Sequence, residues 1–199
     1  KNREWNIMAR PGCSNLLVHL AREALSGFKM PENRFFWFQG QRDSRGLRER
    51  LSSILLKHSG LAAQFILNDF WGAPLKPDDQ RVVDYQRFMQ RFAFILCPAG
   101  EGQATLRMYE ACAYGRIPIL IADCLWVWED ITDTSFCFRI SPTASADEIV
   151  KALEIAFAIP ESEMEDRCRM AALYFEHVVK RYFDDPTEFF IAWLHKRYL

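Results

Sequence analysis

The chain has 199 residues, 50% of them hydrophobic and 26% charged, with 25 basic and 26 acidic side chains. That length suits one domain around a single sizeable core, and 16 Phe with 6 Trp exclude a disordered chain. A formal net charge of -1 excludes a dominant basic nucleic-acid groove, so any positive potential must be local.

The N-terminus, KNREWNIMARPG, is polar, lacks a signal-peptide core and does not begin with Met, which raises the expectation of a removed upstream segment. Ser14 to Ser26 places Leu16, Leu17, Leu20 and Ala24 at helical spacing behind a Ser14 cap. Arg34 to Gly40 (RFFWFQG) is an aromatic run stopped by glycine and reads as a strand. Arg45 to Lys57 reads as a helix with Leu47, Leu51, Ile54 and Leu55 inward, followed by a strand at Gln64 to Leu67 and a helix from Asp78 to Gln90. Phe92 to Cys97 (FAFILC) is a buried strand closed by Pro98 and Gly100. A helix from Gln103 to Tyr114, a strand from Ile117 to Ala122 and a last strand from Ser135 to Ile140 follow. Helices at Ala146 to Phe157, Ser162 to Tyr182 and Pro186 to Arg197 finish the chain.

Strands alternating with helices imply a parallel sheet covered on both faces, because parallel strands need crossover connections. The expected fold class is therefore α/β, a Rossmann-like parallel sheet with helices on both faces and a helical C-terminal tail. Its divisions are an N-terminal segment and helix over 1–33, a Rossmann-like domain over 34–158 and the tail over 159–199. Ligands of such sheets bind beyond the carboxyl ends of the strands. That directs attention to the loops Gln39–Ser44, Asn68–Pro74, Pro98–Gln103 and Asp123–Asp133.

The cysteines (Cys13, Cys97, Cys112, Cys124, Cys137, Cys168) show no C-x-x-C spacing, and several sit in apolar runs, as reduced core thiols do. No stretch reaches the ~20 apolar residues of a membrane helix. The four histidines show no metal-ligand spacing, and no D-x-D sequence occurs. No metal and no cofactor are expected.

The segment richest in chemistry is Phe94 to Asp123, FILCPAGEGQATLRMYEACAYGRIPILIAD. Its strand ends in a turn, Pro98-Ala99-Gly100-Glu101-Gly102, that opens into a helix. Glycines there allow positive φ and close approach of a ligand, and a helix start offers free N–H groups to phosphate. Neither a G-x-G-x-x-G fingerprint nor a P-loop is present, which disfavours a dinucleotide-dependent oxidoreductase. Arg107 and Glu110 lie three residues apart on one helical face. They form either a surface ion pair or a site in which Arg107 meets a diphosphate and Glu110 accepts from two ribose hydroxyls.

This segment resembles the donor-binding segment of exostosin-type glycosyltransferases. Their pattern runs F-C-L-C-P-R-G, a glycine-containing spacer, S-F-R-hydrophobic-hydrophobic-E-A, then G-x-I-P-V-hydrophobic-hydrophobic-S-D. Phe94, Cys97, Pro98, Gly100, Arg107, Glu110, Ala111, Gly115, Ile117, Pro118 and Asp123 match it. Upstream, RFFWFQGQRDSRGLRERLSSIL supplies Phe36, Gly40, Gly46, Arg48 and Leu51 to a second matching segment, and the likeness spans Arg34 to Leu153.

The resemblance implies a GT-B architecture in which this chain is the C-terminal, donor-binding lobe. It implies inverting, metal-independent transfer of a sugar from a nucleoside-diphosphate sugar, UDP-linked by expectation, to a saccharide or glycan acceptor. Carried over, Arg107 binds diphosphate, Glu110 the ribose, Arg48 is a second cation, and Gly40, Gly100, Gly102 and Gln103 line the phosphates. Asp133, Glu101 and Asp43 are candidates for the general base or a sugar contact; Glu101 also fits as a helix cap. Ala99 stands where the family carries Arg, and Glu101 adds negative charge beside that turn. Both favour the alternative, a non-catalytic nucleotide- or glycan-binding module of the same fold. At ~100–200 residues per domain, the segment before Arg34 is too short for an acceptor lobe. The expected remedies are a fragment, a reduced enzyme or a partner chain completing the site. The expected compartment is cytoplasmic for a complete chain and the Golgi lumen for a trimmed one. No nucleic-acid partner is expected.

Overall fold

The computed structural model describes residues 29–42, 45–68, 80–100, 106–122, 134–179, 185 and 187. The expected helices at Ser14–Ser26 and Pro186–Arg197, and most of the loops Asn68–Pro74 and Asp123–Asp133, lie outside the described residues. The elements are β1 (Asn33–Gln41), α1 (Leu47–Lys57), β2 (Ala63–Asn68), α2 (Gln80–Arg91), β3 (Phe92–Pro98), α3 (Leu106–Ala113), β4 (Ile117–Ile121), β5 (Phe138–Ile140), α4 (Ala146–Phe157) and α5 (Glu161–Tyr174). The strands form one five-stranded sheet in the order β2-β1-β3-β4-β5, each neighbouring pair parallel. The α/β, Rossmann-like fold class is thus the observed one. Among the described residues, no helix is long and apolar enough to cross a membrane.

The strands are apolar on both sides because both sides are covered. Every residue of β3 and β4 is buried. Alternate residues divide between two cores, as the pleat dictates. On one face Phe36, Phe38, Phe94, Leu96 and Ile119 pack with Leu51 and Ile54 of α1 and Ile149 and Leu153 of α4. On the other, Trp37, Ile95, Cys97 and Leu120 pack with Tyr85 and Met89 of α2 and with Met108, Ala111 and Cys112 of α3. Helix α5 serves both cores, giving Met164 and Cys168 to the first and Ala171 and Tyr174 to the second.

Local chemistry sets the element ends. Ser145 closes a capping box with Glu148 at the start of α4, satisfying two otherwise orphaned N–H groups. Helix α3 stops at Gly115, whose φ of 62° suits a residue without Cβ. There Arg116 N–H bonds the Ala111 carbonyl and Gly115 N–H that of Cys112, a Schellman ending. The expected strand Ser135–Ile140 is shorter, because Cys137 N–H turns back to the Thr134 carbonyl and pairing starts only at Phe138. The expected helix Ser162–Tyr182 begins at Glu161, and its α-helical part ends at Tyr174. A π-helical turn, Phe175–Val179, follows and buries Phe175, Val178 and Val179. Cys97, Cys112, Cys137 and Cys168 are buried free thiols, as expected of core residues.

Arg116, 2% exposed, is a buried charge that joins these layers. Its guanidinium donates to the carbonyls of Met89 and Gln90 at the end of α2, of Gly115 and of Lys29. Burial lowers its pKa to about 10, which leaves it charged at neutral pH. Arg116→Met would strand those carbonyls, so a loss of about 3 kcal/mol is expected, read as a lower urea midpoint with an unchanged slope. A midpoint equal to wild type would contradict this clamp.

Candidate functional site

The strand order reverses at β1: the chain crosses outward to β2 and then returns past β1 to β3. In open α/β sheets such a reversal marks the usual ligand position, beyond the carboxyl ends of the two strands, here β1 and β3. Gly40, the penultimate residue of β1, and Gly100, just past β3, are both buried at that edge.

Two arginines reach it from helices on opposite faces of the sheet. Arg48 extends from α1, where its Nη1 donates to the Gln41 carbonyl at 2.6 Å and its Cζ lies 5.4 Å from the Phe38 ring centroid. Arg107 extends from α3, with its Cζ 4.8 Å from the same Phe38 ring and 5.2 Å from that of Tyr85. The glycines make this crossing possible. A Cβ on Gly100 would meet Arg48 Nη2 at 2.5 Å; one on Gly40 would meet Phe38 Cζ at 2.6 Å and Arg107 Nη2 at 3.3 Å. Glycine thus lets each guanidinium lie across a strand end. Arg107 Nη1 is buried and has no hydrogen-bond partner among the described residues. An aromatic face attracts a guanidinium, but it does not satisfy that N–H, which an anion would.

Glu110 completes the group. Met108, Tyr109, Ala111 and Cys112 bury the core side of α3, while Arg107 and Glu110 are half-buried. The two do not form the ion pair that their spacing allows. Glu110 Oε2 instead accepts from the Tyr85 hydroxyl at 2.5 Å. Burial holds the Tyr85 phenol well above the ordinary tyrosine range; the Arg107 charge opposes this shift and Glu110 reinforces it. Helices α2 and α3 are therefore cross-linked at the sheet's carboxyl edge, with a cation and a carboxylate side by side.

Of the residues that the sequence singles out, Arg48, Gly40, Gly100, Arg107 and Glu110 come together here. Gly102, Gln103, Glu101, Asp43 and Asp133 lie outside the described residues. Gly100 does not use the positive φ that glycine allows: among the described residues the positive-φ glycines are Gly46, capping α1, and Gly115. At Gly100 the need is for space rather than for a left-handed backbone. Sequence reading missed Phe38 and Tyr85 as site residues. The available signal was chemical, since a tyrosine on the buried face of a helix requires a partner for its hydroxyl. Among the described residues no cluster of His, Cys, Asp or Glu has the makings of a metal site.

Residues 29–150 match the family model for the RXYLT1 C-terminal domain. No curated protein matches the chain.

The two glycines are expected to respond differently to alanine. Gly40→Ala pushes a buried ring and should cost about 1–3 kcal/mol in urea unfolding. Gly100→Ala displaces only the flexible end of Arg48 and should stay within about 0.5 kcal/mol of wild type. Equal losses at both positions would contradict the arrangement. Tyr85 adds a pH signature. Its native pKa lies above that of the unfolded chain, so its contribution to stability is full below about pH 10 and lost as pH rises further. Tyr85→Phe should reduce the alkaline fall in urea midpoint between about pH 8 and about pH 11; an unchanged fall would contradict the assignment.

Proposed function

The chain belongs to the RXYLT1 C-terminal domain family, an exostosin-like C-terminal lobe, and from that premise we propose that it is the donor-binding lobe of a glycosyltransferase. The donor is a nucleoside-diphosphate sugar, taken to be UDP-linked, and the acceptor is a saccharide or glycan. The observation that carries this reading is the convergence of Arg48 and Arg107 on Phe38 over the ends of β1 and β3. Two fixed guanidinium groups offer a diphosphate charge-assisted, fork-shaped hydrogen bonding. Glu110 beside them is the acceptor for ribose hydroxyls. Gly102 and Gln103 are assigned to the phosphate-facing turn on the strength of the family pattern.

In the proposed reaction an acceptor oxygen attacks the anomeric carbon, the bond from that carbon to the diphosphate oxygen breaks, and the configuration inverts. The departing diphosphate gathers negative charge, which pre-positioned cations stabilise without a metal. The acceptor hydroxyl proton passes to a general base, for which Asp43, Glu101 and Asp133 are the candidates. Xylose, galactose and glucuronic acid are the donor sugars to screen, xylose first because the matched domain is that of a xylosyltransferase.

The second reading, a nucleotide- or glycan-binding module without turnover, is favoured by Ala99, which supplies no charge where the family carries Arg. Calorimetry with UDP and GDP tests what the two readings share. Binding should weaken about tenfold or more in Arg107→Ala and in Glu110→Ala, and also in the fully folded Gly100→Ala. A folded wild-type protein that binds neither nucleotide would remove the donor site. Release of free nucleoside diphosphate from a sugar donor with a glycan acceptor separates the enzyme from the module.

A further inference from the structure

Tyr85 lies upstream of the segment Phe94 to Asp123, within the matched residues 29–150, and touches both Arg107 and Glu110. Its ring carries one side of Arg107 and its hydroxyl holds Glu110. A phenylalanine would fill the same 4% exposed position against Trp37, whose ring centroid lies 5.2 Å away. The hydroxyl is therefore not required by packing, and burying it costs free energy unless it is hydrogen-bonded. Its partner belongs to another helix: Tyr85 rides on α2 and Glu110 on α3. A glutamate side chain on its own samples broad terminal rotations. The bond at 2.5 Å commits Oε2 to Tyr85 and leaves Oε1 as the oxygen for a further donor.

Resting on the donor-site reading above, we propose that Tyr85 is a positioning residue for ribose recognition: by holding Glu110 Oε2 it presents Oε1 to the sugar hydroxyls of a nucleoside diphosphate. The same ring lies under Arg107, so one residue of α2 sets the spacing between the diphosphate cation and the ribose acceptor. Tyr85 contacts Arg107 and Glu110 and acts on the nucleotide through them.

Tyr85→Phe isolates the hydroxyl, because the ring that carries Arg107 remains. Titrations use UDP, GDP, their 2′-deoxy and 3′-deoxy counterparts and inorganic pyrophosphate. Wild type should prefer the ribonucleotides. In Tyr85→Phe the ribonucleotides should bind about tenfold more weakly, the preference over the deoxy forms should collapse, and pyrophosphate binding should be unchanged. In a Glu110→Ala background Tyr85→Phe should have no further effect, since the bond is already gone. A retained ribose preference, or a matching loss of pyrophosphate affinity, overturns the positioning role and leaves the donor site standing. A wild-type protein that binds none of these ligands overturns the donor site and the role of Tyr85 together.

Discussion

Two guanidinium groups repel each other, and the arrangement at the sheet edge depends on what offsets that repulsion. The answer is Phe38, a fully buried ring that both Arg48 and Arg107 approach. The ring itself is fixed by its stacking on Phe65, centroids 4.4 Å apart. The Gln41 carbonyl takes one N–H of Arg48, and the Tyr85 ring supports Arg107. For Arg107 the Phe38 and Tyr85 rings position the charge without satisfying Nη1, which has no hydrogen-bond partner among the described residues.

Topology explains why these residues meet. Helix α1 covers the sheet face that holds Phe36 and Phe38, whereas α2 and α3 cover the face that holds Trp37. A crossover to one side of β1 and then to the other puts these helices on opposite faces, because βαβ connections keep one hand. Side chains from both layers can therefore converge only above the strand ends. Gly40 and Gly100 are the places where a side chain would stand in the way. The buried Arg116 clamp acts at a different place, tying the end of α2 to the turn that closes α3. It thereby helps hold α2 and α3 in the relation that Tyr85 and Glu110 require.

Much of this architecture follows from short-range pattern. The runs FAFILC and IPILIA lack polar alternation and lie wholly buried, and Ala146–Phe157 has the expected bounds because its capping box is local chemistry. Arg107 and Glu110 were identifiable because they share a helix. Long-range pairing was not. A spacing of three residues is equally compatible with an Arg107–Glu110 ion pair, and only the packing of α2 against α3 shows that Tyr85 takes the carboxylate instead. Gly100 answers to an equally long-range demand, since what it accommodates is a side chain from 52 positions upstream, Arg48. The strand near Phe138 was overextended because hydrophobicity at Phe136 and Cys137 reads the same in a buried turn.

We propose that the carboxyl ends of β1 and β3 form a diphosphate seat built from Arg48 and Arg107. A crystal structure of the protein with UDP tests it most directly. The diphosphate is expected over Gly40 and Gly100, hydrogen-bonded to both guanidinium groups, with the ribose at Glu110. A nucleotide bound elsewhere on the domain, or a diphosphate touching neither arginine, would contradict it.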